Sequence, residues 1–148
     1  MFFVFTQGYI LTEGLTGIAK GIINRYRPFA YMTVDELEKL DLAAKAEFLE
    51  DIADYDILNS FFSGDASSIA FGFVFFAFAY SWFYKERKYT YLLWILALSG
   101  VVLGGYFRTM SGKHFPTDVT VGAIVGSVVA FGILILHKNI LNSITSKA

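Results

Sequence analysis

The chain has 148 residues, of which 55% are hydrophobic and 18% aromatic, and its formal net charge is −1. That apolar share is too high for an ordinary soluble domain, and the length suits one domain. With no cysteine, disulfides and thiol catalysis are excluded.

The first candidate span, Met1 to Ala19, carries Glu13 as its one charge. Thr6, Gln7, Thr12 and Thr16 interrupt it, so it is expected to face other protein rather than lipid alone. No Lys or Arg precedes it, which argues against a secretory signal peptide. Its helix is expected to run on through Lys20 to Arg27, giving a first span of about 1–27. Next comes the clearly soluble stretch, about 33–56, with nine acidic residues and two lysines. Thr33 and Glu36 have capping-box spacing, and Val34, Leu37, Leu40, Ala44, Phe48 and Ile52 suit an amphipathic helix or helix pair. A solvated cap on the outer membrane face is the expectation, and a lid over substrate entry is the alternative.

Three uncharged stretches follow: Ala66 to Tyr84, Tyr89 to Phe107 and Val119 to Leu136. Each approaches the ~20 residues that cross a bilayer core, giving spans of about 66–84, 89–107 and 117–137. The expected fold is therefore all-α: a single domain, 1–148, forming a bundle of about four transmembrane helices under the 33–56 cap. Gly122 and Gly126 permit close helix packing. Lys85, Glu86, Arg87 and Lys88 form a basic link flanked by Trp82, Tyr84, Tyr89, Tyr91 and Trp94, like an interfacial belt. Positive links stay cytoplasmic, which would place both termini inside and the remaining connections outside.

Those outer connections carry cations that run against the topological rule and so call for another purpose. Lys20 and Arg27 lie seven apart, about 10 Å along one helix face, with Pro28 just beyond. Ser63-Gly64-Asp65-Ala66-Ser67 reads as a loop entering a helix, where a hydroxyl and free N–H groups can hold an anion. Arg108 precedes His114, Pro116 fits the first position of a helix, and Asp118 falls in that helix's first turn. From there its carboxyl is expected to hydrogen-bond one imidazole nitrogen and orient the other outward. Three cations around one histidine suit phosphoryl transfer, which is chiefly positioning and charge stabilisation. No His, Cys or carboxylate set has metal-ligand spacing. Arg25 and Lys113 are expected at the surface, and Glu13 in a hydrogen bond to a neighbouring helix.

Lys20-x6-Arg27-Pro28, Ser63-Gly64 and Arg108-x5-His114-x3-Asp118 together resemble the three-part motif of type-2 phosphatidic acid phosphatases. Vanadium haloperoxidases and bacterial acid phosphatases share that pattern. The resemblance implies a helical bundle and metal-independent hydrolysis of a phosphomonoester or pyrophosphate through a phosphohistidine, with no cofactor. It implies that Lys20, Arg27 and Arg108 hold the phosphoryl oxygens with Ser63 and the Gly64 N–H. His114 would then be the nucleophile and Asp118 the residue that fixes its tautomer. The expected partners are a lipid phosphate and membrane lipids, with no nucleic acid. The expected setting is a bacterial inner membrane, with the site facing outward.

The sequence departs from the family pattern in two places. Its second part reads Phe62-Ser63-Gly64-Asp65 where the family usually has Pro-Ser-Gly-His, so Asp65 stands where the general acid is expected. Imidazole ordinarily titrates near ~6.5 and a carboxyl near ~3.9, which makes an aspartate the poorer proton donor at neutral pH. Membrane members also usually have two further spans before the first part. A catalytically weakened phospholipid-binding or scaffold protein is therefore the second reading, and a haloperoxidase the third.

Overall fold

The computed structural model describes residues 1–53, 55–84 and 87–145, and among these every regular element is helical. In chain order they are α1 (Phe2–Ile22), a 3-10 turn at Pro28–Tyr31, α2 (Val34–Glu38), α3 (Leu42–Ala53) and a second 3-10 turn at Tyr55–Leu58. Then follow α4 (Gly64–Phe83), α5 (Arg87–Met110) and α6 (Pro116–Thr145). Asp54, Lys85 and Glu86 lie outside the described residues, and with the latter two goes the centre of the expected basic link.

Helix α4 is the axis on which α1, α5 and α6 pack. Its sequence explains why: Ala66, Ser67, Ala70, Ala77 and Ala79 alternate with Phe71, Val74 and Phe75, and all of them are buried. The small residues let neighbouring backbones approach, and the rings fill the space between. Phe71 and Phe75 meet Val129, Ala130 and Leu134 of α6, and Phe5 of α1 closes the cluster. Against α6 the approach is closest. A Cβ on Gly122 would lie 2.5 Å from the Ser63 carbonyl oxygen, and one on Gly126 only 2.0 Å from that of Ser67. The glycine pair foreseen as a packing surface is thus occupied by α4 of the same chain.

Helix α1 shows how polar residues survive in this setting. Thr12 and Thr16 are buried, and each hydroxyl donates to the carbonyl four residues earlier at 2.9 Å. The Thr16 hydroxyl also lies 3.2 Å from Ser67 Oγ of α4. The polar face of α1 is therefore turned onto protein, as its composition requires.

Among the described residues, three helices are long and apolar enough to cross a membrane: Gly64–Phe83, Lys88–Met110 and Pro116–Asn139. The 21-residue α1 has the length but is not among them, since threonines, Gln7, Glu13 and Lys20 dilute its hydropathy. Leu92, Ile95, Leu98, Val102, Leu103 and Phe107 of α5 are exposed, an apolar surface larger than a water-facing monomer normally tolerates.

Within the 33–56 stretch lie the two helices α2 and α3. Thr33 Oγ1 accepts from Glu36 N, and the Glu36 carboxyl accepts from Thr33 N at 2.8 Å, completing the capping box. Neither α2 nor α3 buries a residue, and Val34, Leu42 and Leu49 stay exposed.

Backbone contact between α4 and α6 has a direct consequence. Gly126→Ala would drive a methyl group into the Ser67 carbonyl, which cannot step aside as a side chain could, and overpacking of this kind costs about 1–3 kcal/mol or more. Gly132, also on α6, has open space at its Cβ position. Thermal unfolding in detergent is expected to show a clear loss for Gly126→Ala and almost none for Gly132→Ala. Equal midpoints for the two would contradict this packing.

Candidate active site

The ends of α1 and α5 and the starts of α4 and α6 meet at one end of the bundle. Helix α1 stops at Ile22 instead of running on to Arg27 as expected, so Lys20 and Arg27 do not share a helix face; past α1 the chain is extended, and it is pinned to the segment before α4. Arg27 N donates to the Ile57 carbonyl at 2.9 Å, and Ser60 N donates to the Arg25 carbonyl at 3.1 Å. Ser63 caps α4, its Oγ accepting from Ala66 N at 3.3 Å. Between α5 and α6 the chain turns through Gly112, whose φ of +67° favours a residue without a side chain. Pro116 then opens α6 two residues after His114.

His114 is only 2% exposed. Its Nδ1 lies 2.8 Å from the backbone carbonyl of Ser60. A carbonyl can only accept, so Nδ1 carries the proton and the Nε2 lone pair is left open. Burial is the main reason the imidazole's pKa falls from 6.5 to about 4; Arg27 and Arg108 push the same way, while the Ser60 carbonyl and Asp118 push back. A shift of this size disfavours the imidazolium by about 3 kcal/mol. The neutral form is the one with a lone pair to donate.

Asp118, fully buried, has a different place from the one expected. Its carboxyl forms an ion pair with Arg25 and accepts from Ser60 Oγ at 2.5 Å and from Phe115 N at 3.1 Å. Its main-chain carbonyl accepts from Ser63 N at 3.1 Å. The imidazole proton is held by the Ser60 carbonyl, so Asp118 acts on His114 through Ser60 rather than by touching the ring. Asp118 lies in the first turn of α6, where its carboxyl is drawn onto Phe115 N, and Arg25 and Ser60 Oγ hold it there.

Arg25 is correspondingly no mere surface cation. It also donates to Thr117 Oγ1 at 3.0 Å and lies 4.3 Å over the Phe115 ring. The buried Asp118 implied that some cation must come to it, but nothing in the spacing singled out Arg25. Ser60 gave no signal at all, because its contribution to His114 is a backbone carbonyl.

In front of His114 lies a cleft of about 330 Å³ lined by Tyr9, Glu13, Thr16, Lys20, Arg27, Gly64, Asp65, Ser68, Arg108 and His114. It gathers Lys20, Arg27 and Arg108, the three cations expected to converge. Arg27 is buried and donates to the Lys113 carbonyl at 3.3 Å. Arg108 is paired with Asp65 at 2.6 Å, and its Nε is buried without a hydrogen-bond partner among the described residues. Gly64 is at the cleft wall, whereas Ser63 is fully buried behind it and spends its hydroxyl on the α4 cap. Lys113 does not line the cleft. Glu13 receives the expected interhelical bond, from Ser68 Oγ at 2.5 Å, and lines the cleft as well.

The family model of the PAP2 superfamily matches residues 2–141, nearly the whole chain, and the protein belongs to that superfamily. Membership points to phosphatase or phosphoesterase chemistry, and with the three apolar helices it marks a membrane protein. No curated protein and no solved structure matches the chain.

The buried, neutral imidazole is directly measurable. Histidine-selective NMR, with His114→Gln to separate its signal from that of His137, is expected to give a titration midpoint for His114 near 4. Since burial penalises the charged form, the ring stays neutral throughout the range from pH 5 to pH 7. A midpoint at the ordinary imidazole value would mean that the ring is not enclosed as described.

Proposed function

We propose that this protein is a metal-independent phosphatase that hydrolyses a lipid phosphomonoester or pyrophosphate through a phosphohistidine on His114. The observation that carries the reading is a buried imidazole with Nδ1 fixed on a carbonyl, at the wall of a cleft shared with Lys20, Arg27 and Arg108. Attack by Nε2 forms the P–N bond as the P–O bond to the leaving oxygen breaks, and Nδ1–H stays on the Ser60 carbonyl. The leaving alkoxide takes a proton from solvent water, since Asp65 stands where the general acid is expected. Water then attacks phosphorus and the P–N bond breaks; the attacking water returns a proton to solvent, releasing inorganic phosphate and the neutral imidazole. The three cations neutralise charge on the phosphoryl oxygens in both steps, joined by the Gly64 N–H at the start of α4. Asp118, with Arg25, holds the segment that carries the Ser60 carbonyl. Support for metal independence comes from the residues themselves: among those described, no three His, Asp or Glu side chains gather as a metal site.

In this reading α1 is the fourth crossing, shielded by α4 and α6, and the acidic 33–56 pair caps the outer face. The site faces outward in a bacterial inner membrane and both termini are cytoplasmic, with tails of the lipid substrate remaining in the bilayer. A second reading, a weakly catalytic phospholipid-binding or scaffold protein, is favoured by one observation. Asp65 occupies the position of the general acid, and its ion pair with Arg108 sets it in competition with an incoming phosphate.

Oxyanions and Asp65 variants test both. Tungstate or vanadate is expected to raise the unfolding temperature, with the effect lost in Arg108→Ala. Asp65→Asn is expected to bind tungstate more tightly by up to about fivefold, the scale set by a part-exposed ion pair. Phosphate release from phosphatidic acid, phosphatidylglycerol phosphate, polyprenyl diphosphate and lipid A, with His114→Ala as blank, is expected to be fastest in Asp65→His near neutral pH. If Asp65 outperforms both its His and Asn variants, with a rate that climbs as pH falls, it is the proton donor. No oxyanion stabilisation at millimolar levels would mean that the anion site is not assembled.

A further inference from the structure

Helix α1 gives the cleft four residues, Tyr9, Glu13, Thr16 and Lys20. Spacings of four, three and four put them on one helix face, a stripe roughly 16 Å long at 1.5 Å per residue. The cleft is polarised along that stripe. Lys20 stands at the end that holds Arg27, Arg108 and His114. About 10 Å deeper along the axis, Glu13 stands beside Tyr9 and Ser68.

Phosphate binding does not explain a carboxyl group here, because it opposes an incoming anion. Nor does packing explain it fully. Ser68 Oγ donates to Glu13 Oε1 at 2.5 Å, and among the described residues that is the one hydrogen bond Glu13 makes. One oxygen serves the α1–α4 contact, and the other remains as an acceptor at the cleft wall. Tyr9, 43% exposed, adds a phenolic hydroxyl on the same stripe. Carboxyl groups along a span are costly and are kept where they meet a partner.

We propose that Glu13, positioned by Ser68, is a specificity determinant that accepts a hydrogen bond from a hydroxyl group in the substrate's headgroup. This rests on the phosphatase reading, which sets the phosphate at the Lys20 end and the rest of the headgroup toward Glu13. The substrate class it selects is a lipid whose terminal phosphate is carried on a polyol. A lipid with its phosphate directly on the diacylglycerol has no donor to offer at this depth and leaves the Glu13 acceptor unmatched.

The test compares phosphatidylglycerol phosphate with phosphatidic acid of the same acyl chains, in nanodiscs, by phosphate release and by binding. Wild type is expected to favour the polyol lipid in kcat/KM by on the order of tenfold or more, the worth of a hydrogen bond to a charged group. In Glu13→Ala the ratio between the lipids is expected to collapse, chiefly through KM, whereas Glu13→Gln, which keeps an acceptor oxygen, retains part of it. Binding is measured on His114→Ala, which cannot turn the lipids over, with and without Glu13→Ala. Selective loss of affinity for the polyol lipid in the double variant supports the subsite. Equal losses for both lipids, or no preference in either assay, overturn it. Absence of phosphate release from both lipids by the wild type would sink the phosphatase reading instead, and the binding comparison would then decide the subsite alone.

Discussion

Asp118 is a fully buried carboxyl group, and the arrangement of the site depends on how it is held. It takes an ion pair from Arg25, hydrogen bonds from Ser60 Oγ and Phe115 N, and through its main chain one from Ser63 N. Those four partners belong to the segment after α1, the segment before α4, the turn before α6 and the cap of α4. A buried charge left without partners costs several kcal/mol, so the four segments are held together by the need to satisfy it. The Ser60 carbonyl that receives the His114 proton is set by the same node.

Close contact between α4 and α6 provides the frame on which this node is mounted. Gly122 and Gly126 bring α6 against the Ser63 and Ser67 carbonyls. The start of α4, which lines the anion cleft, therefore sits one side chain's depth nearer to the start of α6, which carries Asp118 just past His114. Chemistry then follows from burial. The same enclosure that hides His114 from water keeps its ring neutral and its Nε2 lone pair available, and Arg27 and Arg108 beside it push the same way.

Much of this was legible in the sequence, for identifiable reasons. Uncharged runs of near-spanning length gave α4 and α5 within a few residues and the start of α6, which runs on past the expected end near 137 to Thr145. The threonines of α1 told correctly that this helix must face protein, although its hydropathy leaves it outside the three candidate spans. Thr33 and Glu36 gave a capping box because that device is wholly local. Lys20, Arg27, Arg108 and His114 reach one cleft because alternating helices return their ends to the same side. What spacing could not supply was the partner of each polar atom. Asp118 was expected on the imidazole, yet a backbone carbonyl holds that proton, and backbone carbonyls carry no sequence signature. Ser63, expected on phosphate, also caps α4 by accepting from Ala66 N, a second use of the hydroxyl that its spacing did not announce. Arg25 looked like one more interfacial cation until the buried carboxyl of Asp118 found it.

The central claim is that Nε2 of His114 becomes covalently bound to phosphorus. Incubation with a radiolabelled lipid phosphate, alkaline quench and peptide mapping tests it most directly. The account predicts an acid-labile, alkali-stable phosphoryl group on the peptide containing His114, absent in His114→Ala and accumulating when hydrolysis of the phosphohistidine is slowed at low temperature. Phosphate release by the wild type that persists in His114→Ala, with no label on that peptide, would contradict it.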